Sequence, residues 1–140
     1  MSTLHRGSHF VVQHFRASRY VRLIRTHAPF ESVAQAVQAL RDCDRVLAPL
    51  KLEELGILLD WRDAPMSTDS VLHQSVVKHT DAFATRFRCR AILVLTPVGK
   101  MQVQRVVRTH SEATPVLFHD EAAAIAHVIG PGVERSGNDD

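Results

Sequence analysis

Side chains able to do chemistry gather in residues 55–71, LGILLDWRDAPMSTDSV. An apolar run ends in Asp60, a charged loop of Trp61, Arg62 and Asp63 follows, and the hydroxyls Ser67, Thr68 and Ser70 surround Asp69, with His73 just beyond. An aspartate at the carboxyl end of a buried strand sits where receiver domains carry their phosphoacceptor. Such a site also needs an acidic pair after the first strand to hold Mg²⁺, and a lysine after the last. Here the early strands run into Arg25-Thr26-His27, and the last ends in Phe118-His119. Asp60 is therefore expected to accept backbone hydrogen bonds or to pair with Arg62 at the strand end.

Hydroxyls at a helix start can accept a phosphate, because the free N–H groups and the helix dipole favour negative charge there. Ser70, Ser67 and Thr68 are thus phosphorylation candidates, although helix capping alone also accounts for them. Asp60 or Asp69 with His73 is the one acid–base pairing to weigh, and it would require mutual hydrogen-bond reach in a pocket. Trp61 reads equally as a partner-facing anchor and as packing beneath its loop. Nine histidines suggest metal, but His5 and His9, four apart, lie in the expected N-terminal arm, and no HExxH or grouped Cys/His pattern exists. His79 falls on an apolar helical arc and is expected to be packed. Cys43 and Cys89 lie in apolar patterns and read as reduced thiols filling the core. No P-loop, glycine-rich dinucleotide loop or nucleophile elbow is present. No catalytic residue, metal site or cofactor is assigned.

These side chains need a scaffold, and the hydrophobic pattern describes one. Residues 9–15 (HFVVQHF) and 19–26 (RYVRLIRT) are rich in β-branched and aromatic residues and lie at hairpin distance. Arg19, Arg22 and Arg25 suggest that part of the second strand is wet. Ser32 and Gln35 form a capping box for a helix in which Val33, Ala36, Val37, Leu40, Cys43 and Leu47 share a face. Residues 56–60 (GILLD) are almost wholly apolar, as an interior strand covered on both faces requires. A helix to about Phe87 follows, with Leu72, Val76, Phe83 and Phe87 inward. Next come a strand over residues 90–96, a helix over 100–110, a strand over 115–118, and a helix capped by Asp120.

With 140 residues, 45% hydrophobic and 23% charged, the chain suits one globular domain. A net charge of +2 with scattered arginines argues against nucleic acid as a partner. No apolar run reaches the length of a membrane span, and the first residues lack the apolar core of a secretory signal. The expected location is cytoplasmic, with no membrane association. Residues 1–8 read as a flexible arm, 9–130 as the domain and 131–140 as a disordered tail.

The element order together with ILLDWRDAPMSTDS resembles STAS domains, the SpoIIAA-like anti-sigma factor antagonist fold, and in particular a bacterial STAS/Sec14-like branch. The ending PVLFHDEAAAIAHV is similar to that branch's closing strand and helix. The resemblance implies an α/β mixed sheet with an N-terminal β-hairpin, order ββαβαβαβα. It also implies a non-enzymatic regulatory role exerted through a protein partner, and a homodimer is compatible with it. Classical members carry a phosphorylated serine in a D-S-[ST]-G box at the second helix. Here the matching place reads Asp69-Ser70-Val71-Leu72, so Ser70 is the nearest counterpart and the glycine is replaced. The expected docking surface is Asp60, Trp61, Arg62, Asp63, Asp69 and His73, with phosphorylation as its control. The rivals are a module for a small apolar or anionic ligand and an enzyme using the Asp–His pairing.

Overall fold

A computed structural model describes residues 1–65, 69–95 and 116–129. Six strands form one sheet in the order β1-β2-β3-β4-β5-β6. They are β1 (Ser2–Arg6), β2 (Phe10–Phe15), β3 (Tyr20–Arg25), β4 (Gly56–Asp60), β5 (Cys89–Leu93) and β6 (Val116–Phe118). β2 runs antiparallel to both β1 and β3, and β3 through β6 are parallel. Among the described residues the α-helices are α1 (Val33–Leu47), α2 (Ser70–Ala84) and α3 (Glu121–Val128).

The expected hairpin and the interior placement of residues 56–60 both hold. All five residues of β4 are buried, between parallel neighbours on either side. Two expectations are corrected. Residues 1–8 are not a loose arm: Ser2–Arg6 is a sixth strand, paired to β2 with an irregularity between Thr3 and His5. Its polar sequence, STLHR, hid it, because an edge strand needs little apolar character to satisfy its backbone by pairing. The chain accordingly opens with three strands, not two. Nor is β3 wet: Arg22 and Arg25 are both buried, Arg22 against Asp60 and Glu121 on one face and Arg25 against Phe10 and Phe30 on the other. The helix expected over residues 100–110 and the tail lie outside the described residues.

Strand parity divides the core into two. On one face Val21, Leu23, Ile57, Leu59 and Ile92 meet Leu40, Cys43 and Leu47 of α1 and Phe83 of α2. Right-handed connections between strands in sequential order place successive crossover helices on the same face, which accounts for α1 and α2 sharing it. On the other face Tyr20, Leu58, Ala91 and Leu93 meet Ala124 and Val128 of α3. Cys43 is fully buried, and that burial, ahead of the nearby Asp44 and Asp42, pushes its thiol up to about 12, as suits a packing residue.

Each helix has a side-chain cap. The Gln35 N–H donates to Ser32 Oγ at 3.1 Å, while Gln35 Oε1 accepts from the Glu31 N–H, one residue before the cap itself. Asp69 caps α2 by accepting from Leu72 N–H at 3.0 Å, and Asp120 caps α3 by accepting from Ala122 N–H. His79, expected to be packed, is exposed; Thr80, one position on, takes the buried place and donates its hydroxyl to Val76 O.

At Gly56 the end of α3 comes close against the sheet. A Cβ there would lie 2.3 Å from Val128 O and 2.9 Å from Val128 Cβ, so backbone would have to move. Gly56→Ala is expected to lower the unfolding free energy by about 1–3 kcal/mol in chemical denaturation, by lifting the end of α3 off β4.

Candidate functional site

Asp60 ends β4, and alternation along the strand sends its side chain to the same face as Leu58, toward α3 and away from α2. Arg22 on neighbouring β3 projects to that face as well; it pairs in register with Leu58, one step before Asp60 on the same side. Its Nη2 and Nε donate to Asp60 Oδ2 at 2.7 and 3.2 Å. Arg62 folds back from the loop: its N–H and Nε donate to Asp60 Oδ1 at 3.2 and 3.0 Å, and its Nη2 to Oδ2 at 2.8 Å. Glu121, the first residue of α3, completes the set by accepting from Arg22 Nη1 at 3.2 Å and Arg62 Nη1 at 2.8 Å. Two guanidiniums and two carboxylates thus form a formally neutral cluster, and the negative Glu121 lies at the helix end that favours it.

The Asp60 carboxylate has about four lone-pair positions, and five donor contacts from Arg22 and Arg62 converge on it. Burial alone would raise its proton affinity. The hydrogen bonds from Arg62 and Arg22 and the charge of Arg22 outweigh burial and hold the carboxyl below its ordinary range. Glu121 is likewise held low, chiefly by the Arg22 hydrogen bond, although its side chain is 44% exposed. Burial lowers Arg22, and the bonds to Asp60 and Glu121 more than restore it. At neutral pH such a carboxylate is an ionised acceptor.

The expected site residues are therefore divided between two faces. Asp60 and Arg62 belong to the cluster beneath the start of α3, and Asp60 is not available to a docking partner. The expected pairing of Asp60 with Arg62 is present. Trp61 points the other way, half-buried, with its ring 6.3 Å from that of Phe10, while its backbone N–H donates to Leu93 O at 2.9 Å. Asp63 is exposed. At the start of α2, Asp69 is the cap, and Ser70, the first helical residue, is exposed. His73 is half-buried, and burial holds its imidazole below the usual range. No side-chain hydrogen bond joins His73 to Asp60 or Asp69 among the described residues, and Asp60 points to the opposite face from α2. Ser67 and Thr68 lie outside the described residues. No group of three or more His, Cys, Asp or Glu suited to a metal is found among the described residues. No described helix is long and apolar enough to cross a membrane.

Sequence reasoning missed Arg22 and Glu121. Arg22 carried a signal: an arginine between the apolar Val21 and Leu23 calls for a counter-charge if its strand is interior. Glu121 read as an ordinary first-turn acid, and its distance of 99 residues from Arg22 left nothing local to connect them.

Comparison with protein-family models, with curated proteins and with solved structures finds no match for the chain. The functional argument stands on geometry.

Replacing Asp60 by Asn leaves two guanidiniums short of charge and is expected to cost about 3–5 kcal/mol. Arg22→Met combined with Asp60→Leu should recover most of that loss, because it removes the buried pair together; equilibrium denaturation of the single and double variants measures both. The carboxylates also give stability a sign with pH. Their folded-state affinities for protons are depressed, so the cluster's contribution is complete above the ordinary carboxyl range. It fades as pH falls through about 4 and on toward the lower folded-state values. The unfolding midpoint followed from pH 6 to pH 2 is expected to drop below about pH 4, and Asp60→Asn should flatten that drop.

Proposed function

We propose that this chain is a non-enzymatic regulatory domain of STAS-like type that binds a protein partner at the carboxyl rim of its parallel strands. The docking surface comprises the loop after β4 and the opening turns of α2. The observation that carries the reading is a pair of large apolar side chains left on that rim. Val71, in the first turn of α2, is 72% exposed, and Leu95, just past the end of β5, is 69% exposed. β4 and β5 are adjacent and parallel, so both residues leave the sheet at the same end. Asp63, Asp69 and Ser70 supply exposed polar groups around them, in the manner of an apolar contact with a polar rim.

The acidic group that would otherwise argue for chemistry here is committed to the fold, as the saturated Asp60 cluster makes plain. Ser70 is the position at which phosphorylation would act. A phosphate on the first residue of α2 would meet its free N–H groups, and would add charge next to Val71 and Asp69 on the surface offered to the partner. The mixed sheet with antiparallel leading strands and parallel crossovers supports the STAS-like assignment, with β1 as an addition to the expected order.

Quantitative affinity capture with the wild-type chain, Val71→Asp, Leu95→Asp, Ser70→Asp and the remote control Glu53→Lys tests the proposal. Proteins retained by the wild type and by the control are expected to fall by at least about fivefold with Val71→Asp and Leu95→Asp. Phosphorylation control adds a loss with Ser70→Asp. Equal retention by all variants would overturn the docking surface.

A further inference from the structure

Arg25 is a buried cation of a different kind from Arg22. Both lie on β3, three residues apart, and parity sends them to opposite faces. Arg22 uses its Nε and Nη2 edge to hold the Asp60 carboxylate. Arg25, only 6% exposed, donates from Nη1 alone, to Thr26 O at 2.9 Å and His9 O at 3.3 Å. No carboxylate pairs with it among the described residues, and no acceptor there takes its Nε and Nη2. What surrounds it is aromatic. Its guanidinium carbon is 4.1 Å from the Phe30 ring centre and 5.8 Å from that of Phe10. His9 stacks on Phe30 at 4.6 Å, and Trp61 adjoins Phe10. Burial without a counter-charge lowers its affinity for the proton to about 10. Buried guanidiniums are ordinarily matched by an anion, because desolvating an unpaired charge is costly and π faces offset only part of it.

Arg25 ends β3, at the carboxyl rim where parallel α/β sheets place their ligands. We propose that the Nε and Nη2 edge of Arg25 is the anchor of a binding site for a small carboxylate with an apolar, planar body, bordered by the half-buried Phe30 and Trp61. The fork matches a carboxylate in the same way that Arg62 holds Asp60, with Nε on one oxygen and Nη2 on the other. The rings supply contact for the rest of the ligand, as apolar sites with a single orienting charge do. This site does not depend on the protein-docking reading; the Val71 and Leu95 surface can fail while the Arg25 site stands, and the converse holds.

Benzoate is the probe, with benzyl alcohol as its uncharged counterpart and inorganic phosphate as an anion without the ring, all at constant ionic strength. Trp61 is the only tryptophan, so its fluorescence reports the site directly. The Arg25 Nε–H resonance in the wild-type protein reports the anchor without any substitution. Benzoate is expected to shift both signals saturably, with benzyl alcohol and phosphate at least about tenfold weaker, a difference of roughly 1.4 kcal/mol. Arg25→Lys, which keeps the charge and loses the fork, should weaken benzoate by a similar factor. Absence of a saturable shift of the Nε–H signal, an equal response to benzyl alcohol, or phosphate binding without benzoate would each overturn the proposal.

Discussion

Arg22 and Asp60 meet across two neighbouring parallel strands in the interior of the sheet, and the rest of the architecture is arranged so that this contact can exist. Neither charge would be tolerable there alone. Arg62, returning from the loop after β4, and Glu121, opening α3, turn a pair into a closed, neutral set with nearly every donor and acceptor used. Buried ion pairs of this sort contribute little against an apolar alternative, yet they penalise any arrangement that separates the partners. Their consequence is register: β3, β4, the following loop and the last helix have one mutual position that satisfies all four groups.

That constraint also distinguishes the two faces of the sheet. The face under α3 carries the committed charges, and its acid is held ionised by its neighbours. The face under α1 and α2 carries the apolar core, the aromatic cluster around Arg25 and, at its rim, the exposed Val71 and Ser70. Alternation within β3 and β4 is enough to produce this division, since Asp60 and Trp61 are consecutive and point to opposite sides. A linear reading of residues 55–71 joins them in one site; the sheet assigns them to two.

Much of the scaffold was legible because it follows from periodicity. The α1 face through Leu40, Cys43 and Leu47 and the unbroken apolar run of β4 are patterns that burial imposes on sequence, and the caps Ser32, Asp69 and Asp120 follow local rules. The pieces that were not legible depend on partners distant in the chain. β1 is defined by the strand beside it, not by its own composition. Arg22 and Arg25 looked like markers of a wet strand because solvent is the usual home of arginine. Their burial makes sense only once Asp60 and Glu121 are placed against the first and Phe10 and Phe30 against the second. His79 shows the reverse error: it lies on an apolar arc, but Thr80 and Phe83 are the residues that α2 turns inward.

The central claim is that Asp60 is a fixed structural anion and not a reactive or docking group. The ¹³C resonance of its carboxyl carbon, followed through an acid titration of the folded protein, tests this most directly. The account predicts that Asp60 stays ionised below the ordinary aspartate value of 3.8, and takes up its proton only as the fold is lost. Reversible protonation of the folded protein at or above that value would mean that Arg22 and Arg62 do not hold the carboxylate, and would contradict the account.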